Sequence, residues 1–187
     1  MRKAYALLGL AFVILFTGTW LLFERYSKSE LTTSRSMENI FQLLSPAFDE
    51  GGTIPERYTC EAENISPPLA IDGTPKGAAS LVLIMDDPDA PVGVWDHWVL
   101  YNIPPETTEI LEGAIPIGAV MGKNSWGRND YGGPCPPDSA HRYIFKLYAL
   151  DTLLTLPPEA GKSELEQHME GHIVGTTELT GRYDRPR

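Results

Sequence analysis

The stretch SLVLIMDDPDAP, residues 80–91, decides the fold of this chain. Its first half, Ser80–Met85, is a continuous apolar run, which is typical of a strand buried on both faces. Proline and glycine pairs interrupt the sequence on either side of it about every ten residues, a spacing that suits short strands. The pattern therefore predicts strands joined by turns, in a sandwich or a barrel.

The second predicted strand, Trp95–Ile103, alternates between two faces with a period of two residues. This alternation places His97 and Val99 on one face and Trp98 on the other. A third strand is predicted over Arg142–Leu150. The same period of two residues places His141, Tyr143, Phe145 and Leu147 on one face.

One helix is predicted near the end of the chain, over Lys162–Val174. Ser163 is the expected N-cap, and the acidic residues that follow suit the positive end of the helix dipole. A last strand is predicted over Gly175–Tyr183. Together these elements predict a mostly β protein with one or two small helices late in the chain.

The first 24 residues differ from all that follow. Arg2 and Lys3 precede an apolar segment, Ala4–Phe23, whose twenty residues span about 30 Å as a helix, the thickness of a bilayer's hydrocarbon core. Residues 1–24 are therefore interpreted as a transmembrane signal anchor, residues 25–39 as a polar juxtamembrane linker and residues 40–187 as the folded domain. A cleaved signal peptide is the alternative, which would leave the domain secreted or periplasmic. Both readings place the domain outside the cytoplasm.

The net charge of −10 is spread along the 187 residues and argues against nucleic acid as a partner, because phosphate backbones require clustered Lys and Arg. The two cysteines, Cys60 and Cys135, have no zinc-binding spacing. An exported domain permits them to form a disulfide, and two separate buried thiols are the alternative.

Two carboxylates follow the buried strand directly. Pro88 favours an extended conformation for Asp87, and an extended backbone points Asp87 and Asp89 to the same side. The pair predicts a polar site at the end of the strand. The alternative is an Asp-Pro turn in which both side chains accept hydrogen bonds from backbone N–H groups.

Two histidines occur where stiff loops meet apolar strands. His97 lies between tryptophans, and His141 shares a strand face with Tyr143. The loop before His141, GGPCPP at residues 132–137, is rich in glycine, which leaves backbone N–H groups uncovered and able to bind an anion. These residues predict a small pocket at one end of the sandwich.

Several separated motifs occur in a recognisable order: YTC at residues 58–60, NISPPL at 64–69, DPDAP at 87–91, WDHW at 95–98, GGPCPP at 132–137 and HRY at 141–143. With them the chain resembles the phosphatidylethanolamine-binding protein family, and most closely its prokaryotic, Raf kinase inhibitor-like branch. The resemblance covers about residues 41–183. It implies a Greek-key β-sandwich of two antiparallel sheets, with an edge pocket for phosphate, acetate or a phospholipid head group.

The resemblance also implies which residues bind the ligand. Those that match the family's pocket positions are Asp87, Asp89, His97, Gly133, Pro134, His141 and Tyr143. The chain departs from animal members in having Cys135 within the loop and a different C-terminal helix, so kinase regulation is not carried over.

The expected ligand is a small anion or zwitterion. Carboxylates repel phosphate, so Asp87 and Asp89 are expected to orient His97 and His141 and to raise their pKa, which makes both imidazoles cationic. They could also accept hydrogen bonds from an ammonium group on the same ligand. No catalytic residue, metal or cofactor is predicted, since no hydrolase, nucleotide-binding or metalloprotease motif occurs. The alternatives are an exported inhibitor that binds a protein through the pocket rim, a hydrolase, and a metal site built from the two histidines and two carboxylates.

The anchor can be tested by truncation. A chain without residues 1–30 is expected to be soluble and folded, because no core strand is predicted before Ile40, whereas the full-length chain should need detergent for extraction. The measurement is fractionation followed by circular dichroism of each form. A truncated chain that aggregates, beside a full-length chain that mild salt extracts, would contradict the anchor.

Overall fold

The computed structural model describes residues 40–186, and the expected anchor and linker lie outside this range. Eight strands occur within it: β1 Gln42–Leu44, β2 Leu69–Asp72, β3 Ser80–Asp87, β4 Trp95–Ile103, β5 Glu109–Ile110, β6 Val120–Met121, β7 His141–Leu150 and β8 Ile173–Tyr183. A short 3-10 helix, Glu56–Tyr58, and one α-helix, α1 (Lys162–Met169), accompany them. No helix in residues 40–186 is long and apolar enough to span a membrane.

The strands form two sheets in which all neighbours are antiparallel. The smaller sheet has the order β1-β2-β5, and the larger has the order β6-β4-β3-β7-β8. After β6 the chain crosses over so that β7 pairs with β3 in the centre of the larger sheet. The prediction of a mostly β protein with two antiparallel sheets is confirmed.

The central strand β3 is buried along its whole length, as the apolar run predicted. Leu81, Leu83 and Met85 face the smaller sheet and contribute to the core between the sheets. Val82 and Ile84 face the other way and belong to a second core under α1. Each such side chain contributes about 1.5–3 kcal/mol through burial, so β3 holds three layers together.

Strand β4 departs from the predicted alternation at two bulges. The first lies where Met85 pairs with Trp98 but Asp86 pairs with Asp96, which leaves His97 as an extra residue. His97 therefore lies against the core between the sheets, while Val99 faces α1. The prediction that His97 and Val99 share a face is wrong, because the bulge changes the phase of the strand.

Helix α1 is shorter than predicted and begins differently. Gly161 occupies the N-cap position without a side-chain hydrogen bond, so Ser163 is not the cap. The helix ends at Met169, because Gly171 follows in the left-handed region with φ of +80° and turns the chain into β8. The predicted extension of the helix to Val174 is therefore wrong, and β8 begins earlier than expected.

Cys60 and Cys135 form a disulfide with Cα atoms 5.5 Å apart, so the alternative of two separate thiols is excluded. The bond connects the turn after the 3-10 helix to the loop of residues 132–137, across 75 residues of sequence. A backbone hydrogen bond also connects the two segments: the Cys60 N–H donates to the Pro134 carbonyl at 3.1 Å.

The disulfide is expected to stabilise the domain. The variant carrying Cys60→Ser and Cys135→Ser should lose about 2–4 kcal/mol of unfolding free energy, because the unfolded chain regains the freedom that the closed loop removes. Denaturant unfolding of the oxidised parent and the variant measures the difference, with the reduced parent as control. Equal unfolding midpoints in all three samples would contradict a stabilising role.

Candidate functional site

A cavity of about 250 Å³ opens at the end of the sandwich where β3 ends and β4 and β7 begin. Its lining consists of Asp87, Ala90, Val92, Trp95, His97, Trp126, Cys135, Pro137, His141 and Tyr143. Four of the predicted ligand-binding residues are therefore brought together here, and three are not. Asp89, Gly133 and Pro134 lie outside the lining.

The last two residues of β3 carry carboxylates that point to opposite faces of the sheet. Asp86, fully buried on the α1 side, binds the ammonium groups of Lys146 at 2.9 Å and Lys162 at 2.8 Å. Asp87, only 3% exposed, lies on the cavity side. Each buried carboxylate is paired with a basic side chain, as the cost of burying a charge requires.

His141 is the basic partner of Asp87. Its Nδ1 lies 2.7 Å from Asp87 Oδ2 and its Nε2 lies 3.2 Å from Asp138 Oδ1. Burial disfavours the cation, but the hydrogen bonds to the two carboxylates outweigh burial and raise the pKa of His141. Since ionised carboxylates only accept hydrogen bonds, both ring nitrogens donate and the ring is an imidazolium.

Asp87 serves both roles that the sequence left open. Its Oδ1 accepts the Asp89 N–H at 2.8 Å, the cap expected of an Asp-Pro turn, while its Oδ2 holds His141. The carboxylate of Asp89 instead takes a bidentate hydrogen bond from Arg142, at 2.9 and 2.7 Å. That pair lowers the pKa of Asp89 to about 2. The expectation that Asp89 orients a histidine is wrong, because the arginine guanidinium takes both oxygens.

His97 has a different environment from His141. It is 3% exposed, and its ring packs edge-to-face with Trp126 at 5.0 Å and Tyr143 at 5.2 Å. Its Nδ1 lies 2.6 Å from the Gly132 carbonyl oxygen. Burial lowers the pKa of His97 in spite of that carbonyl and the nearby Asp87. The expectation that both imidazoles are cationic is therefore wrong for His97.

The glycine-proline loop holds the site together through its backbone. The Gly132 N–H donates to the His97 carbonyl at 3.0 Å, and the Gly133 N–H donates to Asn64 Oδ1 at 2.8 Å. A Cβ atom at Gly133 would lie 2.5 Å from the Tyr58 carbonyl oxygen, so only glycine permits this approach. The prediction that these N–H groups are uncovered for an anion is wrong, because both are already bonded.

Two further polar atoms of the cavity lining are buried within the described part of the chain without a hydrogen bond of normal geometry. They are the hydroxyl of Tyr143 and the indole Nε1 of Trp95. Burial raises the pKa of Tyr143, so its hydroxyl keeps its proton. Buried polar groups without partners are costly, and both atoms can donate to a bound ligand.

Sequence reasoning missed four residues on which the site depends, namely Trp95, Trp126, Val92 and Asp138. Trp126 and Val92 form the apolar rim and are 41% and 77% exposed. Both come from loops without a periodic pattern, so no local signal marked them. Asp138, the second partner of His141, precedes it by three residues, and that spacing was the available signal.

The phosphatidylethanolamine-binding protein family model matches residues 44–184. A protein of the UPF0098 group from Methanothermobacter thermautotrophicus is 53% identical over 148 residues, which cover 76% of this chain and 98% of the relative. A UPF0098 protein from Chlamydia pneumoniae is 46% identical over 149 residues, covering 77% of this chain and 99% of the relative.

Two solved structures share the fold. A phosphatidylethanolamine-binding protein homologue from Chlamydia trachomatis superposes with a TM-score of 0.77 at 44% identity, covering 79% of this chain and 99% of its own. The Escherichia coli protein YbcL, described as a member of the mammalian family, superposes with a TM-score of 0.73 at 31% identity, covering 78% of this chain and 99% of its own. The motif order, the two-sheet architecture and these matches agree, and the chain belongs to the phosphatidylethanolamine-binding protein family.

Proposed function

We propose that this chain is a membrane-tethered, extracytoplasmic binding protein whose cavity takes a small anion, either phosphate or the head group of a phospholipid. The observation that carries the proposal is the buried imidazolium of His141, held between Asp87 and Asp138 at the cavity wall. The tether rests on the apolar segment of residues 4–23, and the location outside the cytoplasm follows from it.

The arrangement of donors supports an anion as the ligand. The His141 Nε2–H points toward Asp138, whose side chain is 65% exposed, and we expect a ligand oxygen to replace that carboxylate as its acceptor. The lining residues Tyr143 and Trp95 hold two more donors, a hydroxyl and an indole N–H, which are buried without partners of normal geometry in the described residues. Donors of this kind suit a tetrahedral oxyanion, and charge-assisted hydrogen bonds are the strongest of these contacts.

The acceptors in the cavity lining support a zwitterion. Asp87 presents a carboxylate in contact with His141, and His97 is neutral, so an ammonium group on the same ligand would find acceptors. A phosphoethanolamine head group carries both charges. Its phosphate would meet His141 and its ammonium would meet His97 and Asp87.

Binding is favoured over catalysis by the kinds of residue in the lining. Ser139, the hydroxyl nearest to His141 in sequence, bonds Asp138 and does not line the cavity. A metal site would need the carboxylate of Asp89 beside the histidines, and Arg142 holds that carboxylate instead. The proposal therefore assigns no catalytic residue, cofactor or metal to the cavity.

An exported regulator that binds a protein through the rim is the second candidate. Its support is the exposed apolar group at the cavity mouth formed by Trp126 and Val92, with Val94 close by in the sequence and 56% exposed. Val94 does not line the cavity, so Val94→Asp should abolish binding to such a partner and leave small-ligand affinity unchanged.

The proposed site makes binding depend on pH. Glycerophosphoethanolamine, whose phosphodiester stays singly charged, should bind more tightly at pH 6 than at pH 8. The anion prefers the imidazolium and raises the pKa of His141 further, and this preference is lost as the pH rises through the raised value. Isothermal titration at the two pH values measures it.

The control for that titration is His141→Asn, whose amide can still donate to Asp87 but carries no charge. It should weaken binding by about 1.5–3 kcal/mol and remove most of the pH dependence. Equal affinity of the parent chain at pH 6 and pH 8 would contradict a role for the His141 charge.

Asp87→Asn separates an orienting carboxylate from a repulsive one. The amide oxygen can still cap the Asp89 N–H, but it cannot support the imidazolium as a carboxylate does. We expect weaker glycerophosphoethanolamine binding at pH 7, although a negative charge is lost, and titration measures the change. Stronger binding would mean that Asp87 only repels the anion.

A further inference from the structure

The two ring nitrogens of His97 differ in what they can do. Nδ1 lies 2.6 Å from the Gly132 carbonyl oxygen, which only accepts, so Nδ1 carries a proton. The Gly133 carbonyl also acts on the ring, but among residues 40–186 no hydrogen bond of normal geometry reaches Nε2. A neutral His97 therefore keeps a lone pair on Nε2, and the ring lines the cavity.

The surroundings of His97 favour this neutral form. The ring is 3% exposed and lies between two aromatic rings, those of Trp126 and Tyr143. The charged groups that act on it are Asp87 and Asp96, which favour the cation together with the Gly132 and Gly133 carbonyls. Burial outweighs all of them and lowers the pKa of His97.

His141 presents the opposite chemistry to the same cavity. Carboxylates bind both of its nitrogens, so both carry protons and Nε2 is a donor. The cavity thus offers one neutral acceptor, His97 Nε2, alongside the charged donor of His141. A ligand that fills both positions must accept a hydrogen bond at one oxygen and donate one at another.

Resting on the anion cavity proposed above, we infer that it selects an oxyanion that carries a proton of its own at neutral pH, namely hydrogen phosphate, over proton-free oxyanions such as sulfate. Here His97 determines the specificity and His141 supplies the affinity.

Sulfate and hydrogen phosphate are a matched pair for this distinction. Both are tetrahedral and doubly charged, but sulfate at neutral pH has no proton to donate. Bound sulfate would set an oxygen lone pair against His97 Nε2 and leave a buried acceptor unmatched, which is costly. Phosphate should consequently bind about ten-fold more tightly or better.

The test is isothermal titration of the full-length chain in detergent with sodium phosphate and with sodium sulfate, at pH 7 and constant ionic strength. Tighter binding of phosphate by about ten-fold supports the inference. Equal affinities overturn the inference and leave the anion cavity standing. If neither anion binds, the proposed function fails together with the inference.

Two matched variants show where the selectivity arises. In His97→Asn the side-chain amide can still donate to the Gly132 carbonyl but is too short to reach the Nε2 position. Its affinities for phosphate and sulfate should become equal, because the variant lacks both the acceptor that favours phosphate and the lone pair that opposes sulfate. His141→Asn should weaken both anions to a similar extent and preserve their ratio. A phosphate preference that survives His97→Asn would overturn the assignment to His97.

The protonation state of the His97 ring nitrogens can also be measured in the parent chain, without any variant. In the full-length chain labelled with ¹⁵N-histidine, long-range ¹H–¹⁵N correlation distinguishes a protonated ring nitrogen from one with a lone pair. The expected result at pH 7 is a protonated Nδ1 and an unprotonated Nε2 for His97, with both nitrogens protonated in His141. A proton on His97 Nε2 would overturn the inference.

Discussion

The rest of the site depends on the burial of two adjacent carboxylates at the end of β3. Because the strand is covered on both faces, Asp86 and Asp87 are almost completely buried, and the alternation of the strand sends them to opposite sides. Each needs a basic partner in its own layer, since an unpaired buried charge would cost more than the strand gains. Lys146 and Lys162 meet Asp86 and so tie β7 and α1 to β3, while His141 meets Asp87 and places the start of β7 at the cavity.

The two histidines show how differently the same side chain behaves within the lining of one cavity. His141 gains more from two carboxylates than it loses by burial, and its pKa rises. For His97, burial outweighs the Gly132 and Gly133 carbonyls and the nearby Asp87 and Asp96, so its pKa falls. The cavity therefore combines a charged donor with a neutral acceptor. Such a combination can recognise the protonation state of a ligand as well as its charge.

The loop that completes the cavity is held from behind by the backbone. Gly132 bonds both ways with His97, Gly133 passes against the Tyr58 carbonyl, and the Cys60–Cys135 bond closes the junction. These contacts fix the positions of loop residues that have no regular secondary structure. Preorganisation of this kind reduces the ordering cost of binding, which suits a small ligand that can make few contacts.

The sequence by itself determined the elements and their class. The apolar run of β3 predicted a strand buried on both faces, and the ordered motifs identified the family and brought His97 and His141 into one predicted site. Tertiary structure decided what each of these side chains does. A bulge in β4 directs His97 toward the core, and Arg142 binds the carboxylate of Asp89 outside the cavity lining. Asn64 accepts a hydrogen bond from a loop N–H that was predicted to be uncovered. Periodicity and local propensity report the average path of a strand, whereas bulges and hydrogen-bond partners depend on residues that are distant in sequence. The charge on each imidazole followed from partners that the fold brings together, and of these only Asp138 is close to its histidine in sequence.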